Sequence, residues 1–202
     1  MVLLDTLLFS AYDKTILILL YDSAIRVSEL RELTIESLKL NETIPYIRVH
    51  GKGDKERIVS ITDKTVEHLK RYMKIYHSKT NNDYPLFYTV IKGNISAIST
   101  GNVERILNKY AEIIRPEHPN LPKKLYPHML RRTRACGLYQ TGVDLELVSR
   151  ILGHTSTQTT RIYATPSIEM LKEAMENNSV DVSETAEWID DEEELARICG
   201  IR

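Results

Sequence analysis

The chain has 202 residues, 42% of them hydrophobic, with 27 lysines and arginines against 28 aspartates and glutamates and a formal net charge of −1. That length allows one substantial core, or one core with a small appendage. The two cysteines, Cys136 and Cys199, are too far apart in sequence for a disulfide framework or a metal spacing, and the most apolar stretch, Ile16 to Leu20, is too short to cross a bilayer; a secreted scaffold and a membrane span are therefore both disfavoured, and a soluble, cytoplasmic protein is expected.

The small net charge hides an asymmetry. Residues 176–202 hold nine acids against Arg197 and Arg202, a net of −7, which leaves 25 basic and 19 acidic residues, a net of +6, on 1–175. A basic body with an acidic tail is a weak pointer to a polyanionic partner.

In chain order, Thr15 to Ala24 reads as a buried helix entered through Ser10 and Asp13, and Val27 to Leu33 as a second helix, with Arg26 at the junction. Pro45 to His50 and Arg57 to Ile61 read as a hairpin around Gly51-Lys52-Gly53-Asp54. Thr65 to Tyr76 returns to helical periodicity, the polar cluster Ser78 to Asp83 closes it, and Leu86 to Ile91 after Pro85 is a candidate third strand. Val103 to Ile114 is an amphipathic helix, and the four prolines in Arg115 to Pro127 require a loop. The expected fold is α+β, mainly helical, with a small antiparallel sheet of about three strands inserted early.

The segment Pro127 to Pro166, PHMLRRTRACGLYQTGVDLELVSRILGHTSTQTTRIYATP, reads as three helices, divided at Gly142 and at Gly153-His154. His128 and Arg131 are three residues apart and share a helix face, so an imidazole and a guanidinium can aim at one point. Taken alone, the pair is equally a helix-start residue and a solvated charge.

The pair acquires meaning from what accompanies it. Arg26 in IRVSEL, Lys52 in HGKGDKER, His128 and Arg131 in HMLR, His154 in ILGH, and Tyr163 nine residues later in TTRIY together resemble the tyrosine recombinase, or phage integrase, family. The likeness runs from about Ser10 to Thr165, and its most discriminating part is the Leu-Gly-His to Tyr segment. It implies a recombinase catalytic domain over 1–176 that cuts double-stranded DNA through a covalent 3′-phosphotyrosyl link and rejoins it. Tyr163 is then the nucleophile, and Arg26 and Arg131 stabilise charge on the non-bridging phosphate oxygens. The likeness also implies that His154 donates to the phosphate, that His128 contacts it or assists proton removal, and that Lys52 protonates the departing 5′ hydroxyl. A phenol with a pKa of about 10 needs nearby cations to ionise at neutral pH, so the arginines serve twice. No metal or cofactor is implied, because the cations are side chains and the ester bond is conserved.

Arg132 stands where the family often has a further histidine; it and Arg134 are read as added DNA backbone contacts. Members usually carry an N-terminal helical domain that clamps the opposite face of the duplex, whereas here the sequence begins directly at the catalytic domain, as a fragment or a naturally short member would, so weak and salt-sensitive DNA binding by this chain alone is expected. The likeness further implies homo-oligomers on DNA, a tetramer in the synaptic complex, within a bacterial cytoplasm. In residues 177–202, Trp188, Leu195 and Cys199, with Ile198 alongside, form an apolar stripe suited to docking on a neighbouring protomer; a disordered acidic tail or one folded over its own basic face remains open. Integration or excision of a mobile element or phage is the expected role. Type IB topoisomerase-like relaxation and a catalytically silent DNA-binding regulator are the alternatives.

Overall fold

The computed structural model describes residues 10–51, 56–78, 81–154, 158–161 and 166–177. The chain divides into two compact units, Met1–Thr165 and Pro166–Arg202. In the second, the described element is the helix Ile168–Asn177.

The first unit opens with helix α1 (Ala11–Ser23), which starts where the Ser10 hydroxyl accepts the Asp13 amide at 3.1 Å. Its run Ile16 to Leu20 is almost wholly buried. The helix is central: it packs against α3 (Asp63–Tyr76), α4 (Thr100–Ile114) and α5 (Pro127–Gln140). Apolar residues on nearly every face are what a helix surrounded by protein requires. It ends at Ala24, which is fully buried and held in the left-handed region at φ 50°. That conformation is costly for a residue with a Cβ. It reverses the chain sharply, and α2 (Val27–Glu32) follows with Arg26 at its N-cap.

Strands β1 (Leu38–Lys39), β2 (Tyr46–His50) and β3 (Glu56–Ser60) form an antiparallel sheet in that order. Ile47 pairs with Val59 and Val49 with Arg57, so Ile47, Val49, Val59 and Arg57 share the inner face. The third strand is thus Leu38–Lys39. The segment after Pro85 instead makes a hairpin of its own, β4 (Tyr88–Ile91) with β5 (Asn94–Ala97). Lys92 and Gly93 both have positive φ, the requirement of a tight two-residue hairpin turn, so β4 is paired locally.

The first unit closes with α5, α6 (Leu145–Leu152) and the short α7 (Gln158–Arg161). Pro127 occupies the first turn of α5, where its missing N–H costs nothing. Asp144 caps α6 by accepting the amides of Glu146 and Leu147 at 2.8 and 3.2 Å. Gly153 ends α6 in the left-handed region at φ 64°. Ala24, Ala135, Val148 and Leu152 pack into one buried cluster, which seats the end of α1 against α5 and α6. No described helix is long and apolar enough to cross a membrane.

Candidate active site

Arg131 is only 2% exposed, although it sits on a helix whose sequence pattern suggests a surface charge. A buried guanidinium must have acceptors. Its Nη1 donates to the Ala24 carbonyl at 2.6 Å, and its Nη2 donates to the Leu152 carbonyl at 2.7 Å and to His154 Nε2 at 3.0 Å. The left-handed turn at Ala24 and the end of α6 therefore supply the oxygens that hold Arg131. These three acceptors are uncharged, and they orient the cation.

An arginine only donates, so His154 Nε2 is the acceptor of that bond and the imidazole proton resides on Nδ1. Nδ1 lies 2.8 Å from the hydroxyl of Thr160, which is fully buried on α7. The imidazole is thus held between α5 and α7. Burial, and then the positive charges of Arg131, Arg26, Arg57 and His128, pull its pKa from the usual 6.5 down to about 4.

A second network adjoins the first. Glu29, 4% exposed on α2, accepts four hydrogen bonds. The Arg26 amide reaches Oε2 at 2.7 Å and Arg26 Nη1 reaches Oε1 at 2.9 Å. From β3, Arg57 donates Nη1 to Oε1 at 2.6 Å and Nη2 to Oε2 at 3.0 Å. Burial alone pushes the Glu29 carboxyl up, but the bonds from Arg57 and Arg26 outweigh it and the pKa is lowered. Two arginines on one carboxylate leave this cluster net positive, and the Arg26 side chain is 41% exposed. Its guanidinium is therefore anchored at one edge while opening to solvent.

The structure thus brings together three of the six residues singled out in the sequence, Arg26, Arg131 and His154. His128 is exposed at the start of α5, one turn before Arg131, and is near enough for its charge to act on His154. Lys52 and Tyr163 lie outside the described residues, as do Trp188, Leu195, Ile198 and Cys199. In sequence, Lys52 falls between β2 and β3, and Tyr163 follows α7 by two residues. Arg134, expected to contact the DNA backbone, pairs with Asp22 at 3.3 Å and bonds the Asp22 carbonyl. Arg132 is exposed. Among the described residues no three His, Cys, Asp or Glu side chains converge as a metal-ligand set.

The family model for the phage integrase family matches residues 3–170. The chain belongs to that family. Among curated members, the tyrosine recombinase XerC of Thermodesulfovibrio yellowstonii is 40% identical over 172 residues, covering 82% of this chain and 54% of its own. The crystal structure of XerA recombinase aligns with a TM-score of 0.69 and 31% identity, over 88% of this chain and 60% of that one. The site-specific recombinase XerH, solved bound to its difH substrate before cleavage, aligns with a TM-score of 0.67 and 28% identity, over 85% of this chain and 49% of that one. This integrase-family chain spans about half the length of the curated relatives it matches.

Three residues of this cluster were not singled out in the sequence: Glu29, Arg57 and Thr160. Glu29 was visible as an acid three residues after Arg26, the position from which a carboxylate accepts the N-cap amide. Nothing in a β-branched strand marks Arg57 as inward-facing. Thr160 carried no signal beyond its nearness to Tyr163.

Proposed function

We propose that this chain is the catalytic domain of a site-specific DNA recombinase, which cleaves one strand with Tyr163, holds it as a 3′-phosphotyrosyl ester and passes it to another 5′ end. The observation that carries this reading is the convergence of Arg131, Arg26 and His154 from three separate elements on one positively charged place. Such a cluster suits a phosphodiester whose non-bridging oxygens gain charge during attack. Arg26 and Arg131 are assigned to those oxygens. His154 takes up a proton when the phosphate arrives and donates from Nε2, the atom now facing Arg131. His128 contacts the same phosphate or receives the phenol proton. Lys52, carried by the β2–β3 turn, protonates the leaving 5′ oxygen. The ester conserves the energy of the broken bond, so religation draws on no nucleotide.

The relatives supporting recombination over supercoil relaxation are themselves recombinases. Action on double-stranded DNA in a bacterial cytoplasm, as a homo-oligomer assembled on its site and serving a mobile element, phage or chromosomal system, completes the proposal. The deciding experiment traps protein on a nicked duplex whose short terminal fragment diffuses away after cleavage, so the covalent adduct accumulates. Tyr163→Phe is expected to bind this DNA within about twofold of wild type and to form no SDS-resistant adduct, because only the attacking oxygen is gone. An adduct with the Phe variant would place the nucleophile elsewhere; none with wild type would refute the recombinase reading.

A further inference from the structure

We propose that Arg57 is a positioning residue for cleavage: its fork on Glu29 aims Arg26 at the phosphate and fixes the base of the β2–β3 hairpin and the Gly153-His154 turn beside it. The inference rests on the functional reading above.

The strand itself gives the first reason. In Glu-Arg-Ile-Val-Ser the alternation of β3 puts Arg57 and Val59 on the inner face and leaves Ile58 outside, 65% exposed. Shifting the strand by one residue would bury Ile58 and expose Arg57. The register set by Ile47 and Val49 does the reverse, so a core-facing position is given to a cation and an isoleucine is left in water. Burial alone does not favour that exchange.

The contacts give the second. Arg57 is 17% exposed and donates both terminal nitrogens to the two oxygens of Glu29, the parallel two-bond geometry that only a guanidinium provides. Each of those oxygens also accepts a bond from Arg26, one from its main chain and one from its side chain. Glu29 thus has no slack: moving Arg57 moves the acceptor that orients Arg26. The opposite edge of Arg57 lies on Gly153. A Cβ there would stand 2.8 Å from Arg57 Nε and 2.9 Å from Cδ and Cζ, so the close approach requires the glycine that also adopts φ 64°. Among the described residues Arg57 Nε has no acceptor, as expected where packing against a Cα decides the pose. One side chain therefore joins the N-cap of α2, strand β3 of the β2–β3 pair, and the turn that presents His154. Its charge, placed beside His154, also favours the neutral imidazole.

The test compares single-turnover cleavage by the full chain on two nicked duplexes, carrying the sequence that wild type selects from a random pool. One has a normal scissile phosphate. The other has a methylphosphonate, which lacks the non-bridging charge that Arg26 would stabilise. Arg57→Lys keeps the charge but cannot make the paired bonds, and Arg57→Met keeps the bulk. Both are expected to bind the normal duplex within about threefold of wild type and to cleave it roughly a hundredfold more slowly, the scale of a misplaced charge-stabilising group. On the methylphosphonate the deficit should shrink to a few-fold, in parallel with that of Arg26→Ala. If Arg57→Met does not fold, Arg57→Lys alone decides. Wild-type cleavage rates in a folded variant, or an equal deficit on both duplexes, would overturn the assignment and leave Arg57 as a structural ion pair. Failure of wild type to cleave the normal duplex would instead refute the recombinase reading itself.

Discussion

His154 is wired as a hydrogen-bond acceptor toward Arg131 and a donor toward Thr160, and its pKa near 4 keeps it neutral at pH 7. In the unfolded chain the same imidazole titrates near 6.5. Between those values the unfolded state binds more protons than the folded one, so stability falls as pH drops from about 6.5 toward about 4 and this contribution levels off below. Urea denaturation of wild type and His154→Asn across that window should show a shallower pH dependence in the variant; identical slopes would mean that His154 titrates normally. Arg131 fixes which nitrogen carries the proton, and Thr160 accepts it and orients the ring. Thr160→Val is expected to slow cleavage roughly ten- to a hundredfold, as when an outer partner orienting an imidazole is lost, with Thr160→Ser restoring most of it. Equal rates for Val and Ser would show that the 2.8 Å contact does nothing for catalysis.

At the scale of elements, the helices were legible because their signals are local. Ser10 caps α1, Pro127 opens α5, and Gly153 closes α6. Long-range choices were not legible. The partner of β2 on its free side, Leu38–Lys39, is two residues long and has no period to read. The phase of β3 depends on β2, since Glu-Arg-Ile-Val-Ser suits either face, and so Arg57 stayed hidden. The burial of Arg131 depends on carbonyls from α1 and α6 that only folding brings to it. Order along the chain identified Arg26, Arg131 and His154, but not what holds them. The cap of α6 matters here because that helix delivers the Leu152 carbonyl and the Gly153-His154 turn. Asp144→Ala removes the acceptor for two amides and should cost about 1 kcal/mol in chemical denaturation. An unchanged midpoint would mean that water replaces the carboxylate at no cost.

For the whole molecule the charge division bears on the proposed DNA binding, with a net of +6 on 1–175 and −7 on 176–202. Phosphate contacts release counterions, so affinity for the basic body should fall steeply with salt, and an acidic segment that competes for the same cations should weaken it. The sequence of that segment adds a second property, the Trp188, Leu195 and Ile198 stripe, which lies outside the described residues. An apolar stripe among acids gains most by entering a groove on another protein, and under the proposed function a neighbouring protomer on DNA would offer that surface. Deleting 180–202 separates the two effects. If the stripe docks in trans, the truncated chain should bind an isolated half-site at least as well as the full chain but fill paired half-sites without cooperativity, in a mobility-shift titration at fixed salt. If the segment acts only as an electrostatic shield, truncation should tighten single-site binding and leave cooperativity unchanged, and docking between protomers would have to be abandoned. Trp188→Ala in the full chain preserves the charge, so a loss of cooperativity in that variant assigns the effect to the stripe and not to the acids around it.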